Sequence, residues 1–147
     1  MTAVIIDSHI LIWWLLDSPE LKPNIKALLA NPAQKVYVSV ASVWKIAIKQ
    51  AMGKLQGFEN LPDMLAISDF EVIDLKTHHA MYAANLPLHH KDPFDRMIIA
   101  QSILEELTLI SEDRIFSSSV HDKNHSKDFL CCIFRCKNKT LSCIFLF

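Results

Sequence analysis

Three aspartates stand where their carboxylates could share one pocket. Asp7 and Asp113 each follow a short apolar run, and Asp95 lies in the first turn of a helix that should begin at Asp92-Pro93. Ligands of a parallel sheet bind beyond the carboxyl ends of its strands, where groups of this kind meet. Clustered carboxylates bind hard ions such as Mg²⁺ or Mn²⁺. The spacing therefore predicts a divalent-metal pocket.

Each of these acids also has an ordinary structural explanation. Asp92 is expected to be the N-cap of its helix, and Asp95 could complete a capping box with it. Asp7 could cap the first helix, and Asp113 could belong to a turn, with Glu112 as the competing acid. Because all three acids come together in the predicted topology, we favour metal contact for Asp7, Asp95 and Asp113.

Other polar residues give weaker signals. Ser8 and Ser111 adjoin the acids and could orient them or hold a water, although a helix cap and a turn explain them equally well. The histidine pairs at 78–79 and 89–90 lack the i, i+4 spacing of a helical metal pair, and adjacent side chains should point in different directions. We therefore expect no catalytic histidine.

Strand and helix patterns alternate along the chain. The predicted strands are 3–6, 36–39, 71–75 and 107–110, and the predicted helices are 8–16, 24–30, 40–52, 61–69, 77–85 and 93–106. Gly53 follows the third helix at the position that favours a left-handed residue. Strands separated by helices predict right-handed crossovers and a parallel sheet covered on both faces.

Composition indicates one globular domain. The chain has 147 residues, of which 51% are hydrophobic and 21% charged. The net charge of −1 hides a split, since residues 1–116 carry 10 Lys and Arg against 14 Asp and Glu, whereas 117–147 carry 5 against 2. This balance gives no electrostatic argument for nucleic-acid binding. The start lacks the basic segment of a signal peptide, and no window is apolar enough to span a membrane, so we expect a cytoplasmic protein.

Several motifs together resemble the PIN-domain ribonucleases, specifically the VapC-type toxins of bacterial toxin–antitoxin pairs. The resemblance covers about residues 2–116, and the stretch 92–101 is its most specific part. The motifs are Asp7-Ser8-His9, Ser42-Val43-Trp44-Lys45-Ile46-Ala47-Ile48-Lys49, Gly53-Lys54-Leu55, Leu86-Pro87, His89-His90-Lys91-Asp92-Pro93-Phe94-Asp95-Arg96 and Ser111-Glu112-Asp113-Arg114-Ile115-Phe116.

The resemblance implies both a fold and a function. The fold is a PIN-like three-layer α/β domain over residues 1–116, with a parallel central sheet of four to five strands. The function is that of a Mg²⁺- or Mn²⁺-dependent endoribonuclease that cleaves RNA, is neutralised by a cognate antitoxin protein and forms a homodimer. Asp7, Asp95 and Asp113 would be its catalytic and metal-binding residues. Ser8 and Ser111 would orient these acids or hold a water.

One departure from the family pattern falls inside the predicted site. The pattern reads Ser-x-x-Trp-Glu-Ile, and this chain has Lys45 where the family has its glutamate. A lysine there could turn to solvent, or it could sit among the carboxylates as a built-in cation that replaces the metal. The alternative function is therefore a catalytically inactive homologue that only binds an antitoxin or dimerises. A phosphatase of another α/β type is disfavoured because no nucleophile motif accompanies Asp7.

The segment 117–147 departs from the family altogether. It contains all four cysteines, whose spacing matches no usual zinc site, and two short β-prone apolar runs. It could form a hairpin that covers a sheet edge, or it could be an out-of-frame extension that does not pack. The sharp loss of the family pattern favours an atypical, poorly ordered C-terminal extension.

Overall fold

The computed structural model describes residues 3–86 and 91–111, and the backbone of 132–137 and 140–145. The strands in these ranges are β1 Val4–Ile6, β2 Val36–Ser39, β3 Glu71–Ile73, β4 Thr108–Ser111, β5 Cys132–Lys137 and β6 Thr140–Phe145. The helices are α1 Ser8–Leu15, α2 Pro23–Leu29, α3 Val40–Ala51, α4 Leu61–Ile67, α5 Thr77–Ala84 and α6 Pro93–Leu104. Every helix and strand predicted from the sequence is present, with ends that differ by at most two residues.

The first four strands form a parallel sheet in the order β3-β2-β1-β4. Central β1 pairs with β2 on one side and β4 on the other, so that Ile6 lies between Val38 and Ile110. The predicted three-layer α/β fold with a parallel sheet is confirmed. Its consequence is that Asp7, directly after β1, lies at the carboxyl edge of the two innermost strands.

Alternation along β1 divides the core between the two faces of the sheet. Val4 and Ile6 pack with residues from α1 to α4, whereas Ile5 packs with Ile98 and Ile103 of α6. Successive side chains of a strand point to opposite faces, so a three-residue strand contributes to both layers. Burial of such aliphatic side chains stabilises a fold by roughly 1.5–3 kcal/mol each.

Local capping signals set the ends of the two helices that carry the site. Asp92 caps α6, its Oδ1 accepting from the Phe94 N–H at 2.9 Å, and Pro93 takes the first helical position. Gly53 follows α3 with a φ of +69°, the left-handed conformation that glycine adopts without strain. Arg96 then ties α6 to the end of α5 by donating to the carbonyls of Ala83 and Leu86.

The backbone near the C-terminus forms an antiparallel hairpin of β5 and β6. β5 pairs with β4, for example Ile110 with Ile133, and so extends the sheet beyond the parallel strands. The domain boundary at residue 116 and the atypical character of 117–147 stay predictions. No helix in the described ranges is long and apolar enough to cross a membrane.

Candidate metal pocket

Asp7 is buried at the carboxyl end of β1, with 1% of the residue exposed. Its Oδ1 accepts from the Ile10 N–H at 2.8 Å and so caps α1, and its Oδ2 accepts a hydrogen bond from the Ser111 hydroxyl. Burial raises the pKa of this carboxyl above its ordinary value of 3.8, although both hydrogen bonds act against the rise. The charge of Asp95 adds to the increase.

Lys45 turns inward from α3 toward the first turn of α6. Its Nζ lies 2.7 Å from Asp92 Oδ2 and 3.2 Å from Asp95 Oδ1, and only 10% of its side chain is exposed. The ammonium thus makes the contact with Asp95 that the charge argument anticipates. In the described residues its ion pairs are with these two acids of α6 rather than with Asp7.

The charges of this cluster stabilise one another. Burial by itself lowers the pKa of Lys45, but the hydrogen bond to Asp92 and the charges of Asp95 and Asp92 outweigh it and raise the pKa above 10.5. Burial likewise raises the pKa of Asp92, but the hydrogen bond from Lys45 and the N–H of Phe94 bring it below 3.8. Lys45 and Asp92 therefore form a charged pair near neutral pH.

Two buried serine hydroxyls accompany the acids and Lys45. Ser8 Oγ and Ser42 Oγ are buried and have no hydrogen-bond partner in the part of the chain that the structure describes. Ser8 follows Asp7, and Ser42 lies three residues before Lys45 on the same side of α3. Orphaned buried hydroxyls of this kind indicate a place for water or another polar ligand.

The Lys45 ammonium opposes the binding of a divalent ion by these acids. The carboxylate oxygens are the donors that Mg²⁺ and Mn²⁺ prefer, but the Lys45 ammonium already forms ion pairs with two of the acids and offsets one of their two negative charges. A metal ion would have to displace this cation or share the carboxylates with it, at the cost of repulsion between like charges. The Lys45 side chain therefore supplies the positive charge beside Asp92 and Asp95.

The structure describes some of the predicted site residues and not others. A hydrogen bond joins Asp7 and Ser111, and Lys45 contacts Asp95, whereas Asp113 and its competitor Glu112 lie outside the described residues. The convergence of Asp7, Asp95 and Asp113 on one metal stays a prediction. Asp92 forms an ion pair with Lys45 in addition to capping α6, whereas only the capping role was predicted from the sequence. The only signal was its place three residues before Asp95, on the same side of a helix start.

A second group of possible metal ligands lies at the opposite end of α6. His78, His79 and Glu105 place ligand atoms within 4.8 Å of one another, so the expectation that adjacent histidines point apart is wrong here. The Nδ1 of buried His79 accepts from the Lys76 N–H at 3.1 Å, which leaves Nε2 to donate to Glu105 at 2.7 Å. Lys76 also donates to Glu105. The group is therefore a satisfied network that fixes α5 to α6.

The tryptophans divide between core and surface. Trp13 and Trp14 pack against the core, and Trp14 donates to Ser68 Oγ at 3.2 Å. Trp44 is 59% exposed and meets the Phe94 ring edge-on, with a centroid distance of 5.2 Å. The exposed Trp44 and the partly buried Phe94 thus form an aromatic pair beside Lys45, whose Nζ lies 5.9 Å from the centroid of the Phe94 ring.

Comparison with known proteins agrees with this fold. A family model for the PIN domain matches residues 4–119, and the chain belongs to the PIN-domain family. Among solved structures it is similar to a chain of VapBC2 from Rickettsia felis bound to a DNA fragment from their promoter, with 17% identity, a TM-score of 0.58, and coverage of 79% of this chain and 92% of that one. It is also similar to a chain of a toxin–antitoxin complex from Klebsiella pneumoniae, with 21% identity, a TM-score of 0.57, and coverage of 78% and 91%. No curated protein matches the chain.

Proposed function

We propose that this chain is a VapC-type toxin, a cytoplasmic PIN-domain endoribonuclease neutralised by a cognate antitoxin, whose RNA cleavage is impaired by Lys45. The PIN family assignment and the similarity in fold to chains of toxin–antitoxin complexes support the class of protein. The observation that carries the impairment is the Lys45 ammonium at 2.7 Å from Asp92 and 3.2 Å from Asp95.

The proposed roles follow from the chemistry of the pocket. Asp7 and Asp95, with Asp113, are the acids that would hold Mg²⁺ or Mn²⁺ in a chain with a carboxylate at position 45. Such an ion supplies a water of lowered pKa and stabilises the charge of the phosphoryl transition state. Ser111 orients the Asp7 carboxylate by its hydrogen bond, and Ser8 is available to a water. Lys45 opposes metal binding because its ammonium forms ion pairs with Asp92 and Asp95.

A second candidate is a homologue without catalytic activity that binds an antitoxin or dimerises. The contacts of Lys45 favour it, because a fully blocked pocket would leave only the binding surfaces in use. The two functions differ in one measurable property, the presence of residual metal-dependent RNA cleavage.

An RNA-cleavage assay tests the proposal. The natural chain, incubated with mixed-sequence single-stranded RNA and excess Mn²⁺, should cleave slowly, and the chelator EDTA should stop the reaction. Asp95→Asn keeps the size of the side chain and should abolish the residual activity. Equal cleavage by the natural chain and Asp95→Asn would assign the activity to a contaminant and leave the second candidate in place.

The assembly prediction concerns the exposed side of α3. Trp44 on α3 and Met52 at the C-cap of this helix are 59% and 60% exposed, and they offer apolar surface suited to a second copy of the chain. Light scattering at high micromolar concentration should give about twice the 16.8 kDa of one chain. Trp44→Ser should shift the population toward monomer, whereas the control Ile67→Ser, at an 86% exposed position on α4, should not. A monomeric natural chain would contradict the prediction.

A further inference from the structure

The Asp92 carboxylate makes two kinds of contact in the structure. Its Oδ1 caps α6 through the Phe94 N–H, and its Oδ2 accepts from the Lys45 ammonium. The carboxylate also accepts a backbone hydrogen bond from Asp95. These backbone hydrogen bonds hold the carboxylate in position, so that capping does not prevent Oδ2 from binding a cation.

Lys45 contacts the two acids of α6 at different distances. The ammonium lies closer to Asp92, at 2.7 Å, than to Asp95, at 3.2 Å. The hydrogen bond to Asp92 and the charges of both acids raise the pKa of Lys45. A charge-assisted bond of 2.7 Å has the length of a strong ion pair.

We infer that Asp92 is a further cation-binding carboxylate of the pocket, the main anchor of Lys45 in this chain and a ligand for a divalent ion when position 45 carries an acid. Helix capping alone would not require a charged residue, since asparagine and serine cap equally well. An anionic cap whose Oδ2 faces a buried ammonium serves cation binding as well. The metal part of this inference rests on the proposed function, whereas the anchoring of Lys45 does not.

A double-mutant cycle tests the anchoring without any metal. Asp92→Asn keeps an acceptor for the Phe94 N–H and removes the charge, and Lys45→Met removes the ammonium while keeping the apolar stem. In urea unfolding with EDTA, Asp92→Asn should lower the folding equilibrium constant about fivefold or more in the natural chain and less than about twofold in the Lys45→Met chain. The matched control Asp63→Asn, in the first turn of α4, should behave alike in both. Equal effects of Asp92→Asn in both chains would show that Asp92 only caps the helix and does not anchor Lys45.

Calorimetric titration with Mn²⁺ tests the ligand role. In the Lys45→Glu chain, adding Asp92→Asn should weaken Mn²⁺ binding about tenfold or more, and adding Asp63→Asn should leave it unchanged. Unchanged affinity with Asp92→Asn would overturn the ligand role. If Lys45→Glu binds no Mn²⁺ at all, both the ligand role and the metal pocket of the proposed function fail, while the unfolding cycle still decides the anchoring of Lys45.

Discussion

Lys45→Glu should raise the affinity for Mn²⁺ and the rate of RNA cleavage by at least about a hundredfold each. A unit charge about 5 Å from another, at an effective dielectric constant near 20, contributes about 3 kcal/mol, or about a factor of one hundred in affinity. The substitution removes a positive charge that is bound to Asp92 and Asp95 and adds a carboxylate in its place. Both changes favour a divalent ion.

The stability of the Lys45→Glu variant gives an independent measurement. Without metal, the introduced carboxylate would repel the neighbouring acids, so the melting temperature in EDTA should fall below that of the natural chain. Added Mn²⁺ should restore it, because an ion that binds only the folded state stabilises that state. The natural chain should respond little to the same addition.

Two matched variants separate the charge of position 45 from its shape. Lys45→Met removes the cation without adding a ligand and should bind Mn²⁺ with intermediate affinity. Lys45→Glu combined with Asp95→Asn should lose the gained cleavage. A natural chain that already binds Mn²⁺ tightly, and cuts RNA at a rate unaffected by Lys45→Glu, would refute the role given to Lys45.

Asp7→Asn should stabilise the fold and abolish the restored activity. Asparagine can still accept from the Ile10 N–H and bond to the Ser111 hydroxyl, but it carries no buried charge. We expect the free energy of unfolding at pH 7 to rise by about 1–2 kcal/mol, the size of other stabilising substitutions. In the Lys45→Glu chain the same change should reduce RNA cleavage by on the order of a thousandfold, because the carboxylate that would hold the ion is lost.

The pH dependence of this stabilisation has a definite sign. The pKa of Asp7 is raised by burial, so the folded chain binds the proton more tightly than the unfolded chain does. Its contribution to stability is complete below the ordinary pKa of 3.8 and is lost as the pH rises through the folded pKa. The advantage of Asp7→Asn should therefore be present at pH 7 and disappear in acid. Unfolding curves in EDTA that show Asp7→Asn less stable at pH 7 would contradict the prediction.

Much of the fold follows from local signals in the sequence. Pro93 fixes the start of α6, and Gly53 accommodates the positive φ after α3. The alternation of apolar strands and helices indicates parallel pairing, and this pairing carries Asp7 to the carboxyl edge of the sheet. These features were predictable because each depends on neighbouring residues or on a periodicity that the chain displays directly.

The sequence by itself determined the family, the order of the elements and the presence of a lysine where an acid was expected. Only the tertiary structure decided that Lys45 turns inward, that Asp92 accepts its closer contact and that His78 and His79 approach the same carboxylate. Lys45 and Asp92 are 47 positions apart in the chain and meet through the packing of α3 against α6. A lysine by itself prefers solvent because burying its ammonium costs free energy, so its inward direction depends on carboxylates that packing alone brings near it.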